Sequence, residues 1–176
     1  MTTVQEIRLS DGSVREARGA GRLRYVVSSD HAHWHFVPFM RYELRPAASG
    51  GSVLRDRKTG FCLGDRYDTS LVLPGKPASN VFTSRCGLRS PGRLGMREGI
   101  SVGYGDDYDP TLEGQYVDVT GLAAGRYLLV HRVNETQALH ESRYDNNASS
   151  LEIRLRWRNG RPSVEQLRRC PGRDGC

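Results

Sequence analysis

The sequence predicts an all-β protein, an antiparallel β-sandwich-like domain with long irregular loops. Apolar and polar residues alternate with period two in seven segments, which is typical of strands with one buried face. Turn-forming pairs such as Asp11-Gly12 and Asn159-Gly160 separate these segments, and no stretch shows the period of a long amphipathic helix. Because 176 residues suffice for one modest core, we expect a single domain over residues 1–176.

The predicted strands follow one another along the chain with turn signals between them. They are Val4–Leu9, Arg22–Val27, His31–Phe36, Met40–Arg45, Gln115–Thr120, Arg126–Val133 and Ser150–Trp157. Further turn signals lie at Ser49-Gly50-Gly51 and at residues 121–125, after the fourth and fifth segments. Residues 165–169 fit either a last strand or a single helical turn.

The stretch from Gly64 to Gly103 has no sustained period and is rich in proline and glycine. A loop of this length inside a small domain is usually functional or disordered. Four cysteines fall into two natural pairs, Cys62 with Cys86 and Cys170 with Cys176, and we expect a disulfide in each. The absence of any C-x-x-C pair argues against a four-thiolate zinc site, and two disulfides favour an oxidising compartment.

The composition excludes some classes of partner. The net charge of +6 comes from scattered arginines, only Lys58 and Lys76 being lysine, and no basic patch is interleaved with stacking aromatic residues. We therefore expect no nucleic-acid partner. No segment is apolar enough for a membrane span, and none resembles a signal peptide, so export would require a targeting sequence upstream of Met1. The sequence does not indicate an oligomeric state.

Three histidines alternate within one predicted strand, at His31, His33 and His35. Residues i, i+2 and i+4 of a strand point to the same face, so the three imidazoles are expected side by side, with Trp34 on the other face. Three imidazoles on one face can hold a copper, zinc, nickel or iron ion and leave positions open for other ligands. This stretch therefore predicts a metal site rather than a merely polar strand face.

Several motifs in the same order make the chain resemble the catalytic domain of the lysyl oxidase family. The His-x-His-x-His stretch is followed by Lys58 shortly before Phe61-Cys62-Leu63. Residues 99–103 then read Gly-Ile-Ser-Val-Gly, Tyr108 follows, and residues 115–120 read Gln-Tyr-Val-Asp-Val-Thr. The similarity runs from residue 31 to about residue 147, ending at residues 141–147, Glu-Ser-Arg-Tyr-Asp-Asn-Asn.

The resemblance implies a specific chemistry. It implies that His31, His33 and His35 bind copper and that Lys58 and Tyr108 become cross-linked into lysyl tyrosylquinone. That cofactor oxidises primary amines, including peptidyl lysine, to aldehydes, and molecular oxygen is reduced to hydrogen peroxide as ammonia is released. It also implies an extracellular or secreted protein.

The chain departs from animal members in ways that are themselves informative. Tyr104 and Gly114 stand where those members have a bridged cysteine pair. This chain is therefore similar to a smaller, bacterial-type version of the domain with fewer disulfides. Members of the family usually have further strands upstream, which makes an N-terminal truncation an expectation. Tyr108 fits the family's tyrosine better than its neighbour Tyr104.

Other interpretations of the same residues stay open. Lys58 also fits a surface lysine in a basic stretch, and Tyr108 a half-buried turn tyrosine beside Pro110. Asp106 and Asp107 are candidates for the catalytic base because they lie near Tyr108 in sequence. The alternative function is a non-catalytic copper-binding β-sandwich that acts as an interaction module. A cupin site is excluded, because the first acidic residue after the histidines, Glu43, lies on another strand.

Overall fold

The computed structural model describes residues 1–28, 32–48, 51, 53–56, 60–112 and 114–176. Within these ranges it contains β-strands and no helix, which confirms the all-β antiparallel prediction. The same ranges therefore hold no helix that is long and apolar enough to cross a membrane. The strands are β1 (Thr2–Arg8), β2 (Val14–Val27), β3 (Ala32–Val37), β4 (Met40–Pro46), β5 (Leu54–Arg55), β6 (Tyr67–Asp68), β7 (Tyr104–Gly105), β8 (Gly125–Val133), β9 (Ala148–Arg158) and β10 (Arg161–Cys170).

The chain packs as two compact units, one formed by Met1–Pro38 with Gly60–Glu113 and the other by Phe39–Thr59 with Gly114–Cys176. In the first unit, β1, β2 and β3 form an antiparallel sheet in that order, and β6 pairs with β7. Gly21 allows β2 to approach β3 closely, because a Cβ there would lie 2.9 Å from the Phe36 ring. Its φ of 121° is also one that side-chain-bearing residues avoid.

The long irregular stretch of the first unit is tied to β3 rather than left loose. Phe61 forms an antiparallel bridge with Phe36, and the Trp34 N–H donates to the Cys86 carbonyl at 2.9 Å. The predicted disulfide between Cys62 and Cys86 is present. Phe61 and Cys86 are fully buried, so the loop supplies core that the three-stranded sheet lacks.

A second anchor of this stretch is the buried carboxylate of Asp65. It accepts hydrogen bonds from the backbone N–H groups of Val81 at 2.7 Å, Phe82 at 3.1 Å and Ser101 at 2.6 Å. Burial acts to raise the pKa of Asp65, but these hydrogen bonds outweigh it and hold the pKa below its usual value. One ionised side chain therefore joins three separate points of a loop that has almost no strand pairing.

Replacing Asp65 with asparagine is expected to destabilise the protein more than an equivalent change elsewhere. An asparagine amide turns an NH2 group towards N–H donors that the carboxylate satisfies, and each orphaned donor costs about 1–3 kcal/mol. Urea unfolding measures the loss. The control is Asp109→Asn in an exposed turn, where the side chain serves only Thr111 and we expect a change within about 0.5 kcal/mol. Equal stability of the two variants would contradict the anchoring role.

The second unit is built on a five-stranded antiparallel sheet of order β10-β9-β8-β4-β5. One face buries a cluster of Leu44, Tyr127, Ile153 and Leu155. The hairpin from β9 to β10 turns at Asn159-Gly160, where both residues have positive φ as the predicted turn requires. Residues 165–169, which fit either of two elements in sequence, belong to strand β10. The predicted disulfide between Cys170 and Cys176 is also present.

One predicted strand is absent. Residues 115–120 form no strand, although their side chains alternate between half-buried and exposed as predicted. Val117 and Val119 pack against the core cluster of the second unit, and this packing produces the period-two pattern. A strand also needs a hydrogen-bonded neighbour, and alternation alone does not specify one.

Candidate metal and cofactor site

The imidazoles of His33 and His35 lie on one face of β3, as the alternation predicts. Their ring centroids are 4.8 Å apart and their Nε2 atoms 2.9 Å apart, and His35 is almost completely buried. Two nitrogens bonded to one ion at about 2.0 Å and at a right angle would lie about 2.8 Å apart. The Nε2 atoms are at hydrogen-bond distance in this structure, and the same spacing would suit two ligands of one metal ion such as copper.

His31, the third predicted ligand, lies outside the described residues, as does Lys58. Within the part of the chain that the structure describes, no group of three His, Cys, Asp or Glu side chains is placed to hold a metal ion. The structure thus describes two of the three predicted ligands, His33 and His35, and in the sequence the third stands one residue before β3.

The opposite face of β3 fixes the direction of the imidazoles. The Trp34 ring packs edge-on against Tyr25 with centroids 5.4 Å apart, and its Nε1 donates to the Ser90 carbonyl at 3.1 Å. The Tyr25 hydroxyl donates to the Ala32 carbonyl at 3.1 Å. Because the aromatic face of β3 is held in this way, rotation of the strand about its own axis is opposed.

Gly60 brings the segment that follows Lys58 directly beside the histidine strand. A Cβ at Gly60 would lie 3.0 Å from the Cβ of His35 and 3.0 Å from the Phe36 carbonyl oxygen, closer than most side chains tolerate. Any larger residue would push this segment away from β3. The lysine of the predicted cofactor therefore precedes, by two residues, a position that contacts a predicted copper ligand.

Tyr108 is held against the same segment. Its hydroxyl donates to the Cys62 carbonyl at 2.6 Å, and its ring packs edge-on against Phe61 with centroids 4.8 Å apart. Phe61 opposes Phe36 in an antiparallel bridge, and opposed side chains share a face, so Phe61 lies on the side of β3 opposite to the imidazoles. The structure therefore brings Tyr108 to residues 60–62, against the phenylalanine that lies on the side of β3 opposite to the imidazoles.

Two carboxyl groups lie next to Tyr108. Asp106 Oδ2 accepts from the Gly64 N–H at 3.1 Å, and Oδ1 faces Arg66 Nε at 3.6 Å. Burial raises the pKa of Asp106 to about 6, although Gly64 and Arg66 act in the opposite direction. Of the two aspartates considered from sequence, Asp106 lies at the site and Asp107 is exposed.

Glu98 is the second carboxyl group, and sequence reasoning missed it. Its Oε2 accepts from the Leu63 N–H at 3.4 Å, while its Oε1 is buried without a hydrogen-bond partner among the described residues. Burial raises the pKa of Glu98 to about 7, and the charge of Asp106 adds to the rise. Its position directly before the Gly-Ile-Ser-Val-Gly segment was the one signal available, but an isolated glutamate in an irregular stretch does not indicate burial.

Burial and these neighbours shift the pKa of the Tyr108 phenol. Burial raises the pKa of Tyr108 well above its usual value, and the negative charge of Asp106 raises it further. In the observed position Tyr108 is therefore a neutral hydrogen-bond donor.

The other lysine and the other nearby tyrosine form a separate contact. Lys76 Nζ pairs with Asp68 at 2.5 Å, donates to the Leu71 carbonyl at 3.2 Å, and lies 5.6 Å from the centroid of the Tyr104 ring. Lys76 and Tyr104 are therefore a natural control pair for Lys58 and Tyr108.

Comparisons with known proteins give one consistent result. The family model described as lysyl oxidase matches residues 19–165. The chain is 31% identical to protein-lysine 6-oxidase of Sus scrofa over 127 residues, which are 72% of this chain and 45% of that protein. It is 30% identical to lysyl oxidase homolog 1 of Homo sapiens over 126 residues, 71% of this chain and 19% of that protein. The match thus spans less than half the length of these relatives.

Proposed function

The chain belongs to the lysyl oxidase family, and from this premise we propose that it is a copper- and lysyl tyrosylquinone-dependent amine oxidase. It converts primary amines, with peptidyl lysine as the expected substrate class, to aldehydes and releases ammonia and hydrogen peroxide. The observation that carries the proposal is the pair of imidazole Nε2 atoms 2.9 Å apart on one face of β3. The name protein-lysine 6-oxidase, borne by a relative, supports the substrate class.

The chain's own residues have distinct tasks in this proposal. His31, His33 and His35 hold copper, and Lys58 with Tyr108 forms the quinone cofactor. Copper supplies one-electron chemistry with molecular oxygen, and the quinone supplies the carbonyl that accepts electrons from the amine. Asp106 is a candidate base near the cofactor, because burial gives it a pKa of about 6, within range of neutral pH.

The two disulfides support an extracellular or secreted location. Bridges such as Cys62–Cys86 form and persist in oxidising compartments, and here one of them closes the loop beside the histidine strand. Reduction would therefore loosen the segment that contacts both His35 and Tyr108.

A second candidate function is a copper-binding module without catalysis. One observation favours it: the Tyr108 ring packs against Phe61, whose bridge partner Phe36 lies on the face of β3 that the imidazoles do not occupy. A binding module needs the histidines alone, whereas the oxidase needs Lys58 and Tyr108 within covalent reach. The two functions therefore differ in whether a covalent bond forms between Lys58 and Tyr108.

Peptide mass spectrometry on the copper-loaded, air-exposed protein tests the proposal. We expect a linked peptide that contains Lys58 and Tyr108, and we expect it in a Lys76→Arg variant as well, because Lys76 is engaged elsewhere. Lys58→Arg should abolish it. If copper is bound and both peptides remain separate, the oxidase proposal fails and the binding module replaces it.

A further inference from the structure

Two carboxyl groups and the Tyr108 hydroxyl hold three successive groups of one backbone segment. The Cys62 carbonyl accepts from Tyr108, the Leu63 N–H donates to Glu98, and the Gly64 N–H donates to Asp106. The Asp106 carboxyl also has the Tyr108 hydroxyl within side-chain hydrogen-bond reach, so the carboxyl and the phenol are neighbours. Asp106 and Glu98 interact electrostatically with each other and with Tyr108, so the three groups share one small volume.

The charges around this volume do not balance if both carboxyls are ionised. The facing charged or titratable groups in the described part of the chain are Arg66, Asp107 and Tyr108, and Arg66 is the one cation. Arg66 lies against Asp106 at 3.6 Å, whereas one oxygen of Glu98 is buried with no hydrogen-bond partner in the same part of the chain. A protonated Glu98 leaves a single negative charge on Asp106 to face Arg66, which is the arrangement with the smaller desolvation cost.

We propose that Asp106 is the base that takes the phenolic proton of Tyr108 when the cofactor is assembled, and that Glu98 is a positioning residue that keeps the pair at one negative charge by staying protonated. The step is a simple transfer: the O–H bond of Tyr108 breaks, and an O–H bond forms on the carboxylate of Asp106. It leaves a phenolate and a neutral acid and changes no oxidation state. This inference rests on the proposed function, because it concerns how that cofactor is made.

The transfer has a structural consequence. A phenolate has no proton to donate to the Cys62 carbonyl, so the 2.6 Å hydrogen bond that holds Tyr108 beside Phe61 is replaced by repulsion between two oxygens. Loss of the proton therefore also releases the ring from the aromatic side of β3. Deprotonation and release are one event in this arrangement, and Asp106 controls both.

The first test uses metal-free protein and does not depend on activity. Glu98 binds its proton more tightly in the folded chain than in the unfolded chain, with a pKa raised from 4.5 to about 7. Its contribution to stability is therefore complete below pH 4.5 and is lost as the pH rises through about 7. Urea unfolding across this range should show the loss in the wild type. Glu98→Gln, which keeps an oxygen for the Leu63 N–H, should remove this part of the pH dependence and leave the part due to Asp106, whose pKa is raised to about 6. Asp109→Asn, in an exposed turn, should leave the curve unchanged across the same range.

The second test follows the appearance of the Lys58–Tyr108 linked peptide after copper and air are supplied. In the wild type the rate should rise as Asp106 ionises near pH 6 and change again as Glu98 ionises near pH 7. Asp106→Asn should slow formation by about a hundredfold with copper binding intact, since a positioned base typically contributes at least that factor. Glu98→Gln should keep the first inflection and lose the second, a change that a merely structural residue would not produce.

The outcomes separate this inference from the proposed function. If the wild type never forms the linked peptide, the oxidase proposal fails, while the metal-free titration still reports on the carboxyl pair. If the wild type forms it and Asp106→Asn forms it equally fast, Asp106 is not the base. If Glu98→Gln changes neither the unfolding curve nor the pH profile, Glu98 does not set the charge of the carboxyl pair. If the Asp106 variant does not fold, the Glu98 variant decides.

Discussion

Tyr108→Phe is expected to abolish amine oxidation completely while copper remains bound. Phenylalanine keeps the edge-on packing against Phe61 but lacks the oxygen that becomes part of the quinone. Lys58→Arg should have the same effect, because a guanidinium stays protonated and cannot add to the oxidised ring. Peroxide release from a primary amine measures activity, and copper content is measured on the same samples.

Each of these variants has a matched control in the chain. Tyr104→Phe and Lys76→Arg change the neighbouring tyrosine and the remaining lysine, which contact each other, and Lys76 also pairs with Asp68. Both controls should retain turnover within a few-fold. Turnover by Tyr108→Phe or by Lys58→Arg would reject the cofactor assignment. Loss of copper in either variant would show that the substituted residue contributes to metal binding.

His33→Ala is expected to remove both copper and the cofactor. The substitution takes away one of two imidazole nitrogens that lie 2.9 Å apart, so the buried His35 loses the imidazole beside it. Loss of an outer partner of a metal ligand already costs about 10- to 100-fold in affinity, and loss of the ligand itself should exceed that. With no copper, the linked peptide should not form either.

The exposed His140 provides the comparison for this experiment, since it lies in a loop of the second unit. His140→Ala should bind copper as the wild type does. Metal content after dialysis distinguishes the variants, and circular dichroism checks that both are folded. Undiminished copper in His33→Ala would show that β3 is not the ligand strand, and the proposed function would lose its central observation.

The local sequence pattern predicts a structural feature correctly wherever that feature depends on neighbouring residues alone. Period-two alternation predicts the shared face of His33 and His35, because the pleat of a strand enforces it. Cysteine grouping predicts both disulfides, and Asn159-Gly160 predicts the turn from β9 to β10, where backbone conformation is decided by two residues. The failure at residues 115–120 is informative, since burial alternates there without a partner strand.

The sequence by itself determined the all-β class, the histidine face of β3 and the similarity to lysyl oxidases, because these depend on residue type and spacing along the chain. Only the tertiary structure decided that Asp106 and not Asp107 is buried, that Glu98 joins it, and that Tyr108 packs on the aromatic side of the segment beside β3. These facts depend on contacts between residues more than thirty positions apart within an irregular stretch. No local period governs such contacts; they follow from which groups can be buried together with their hydrogen bonds satisfied.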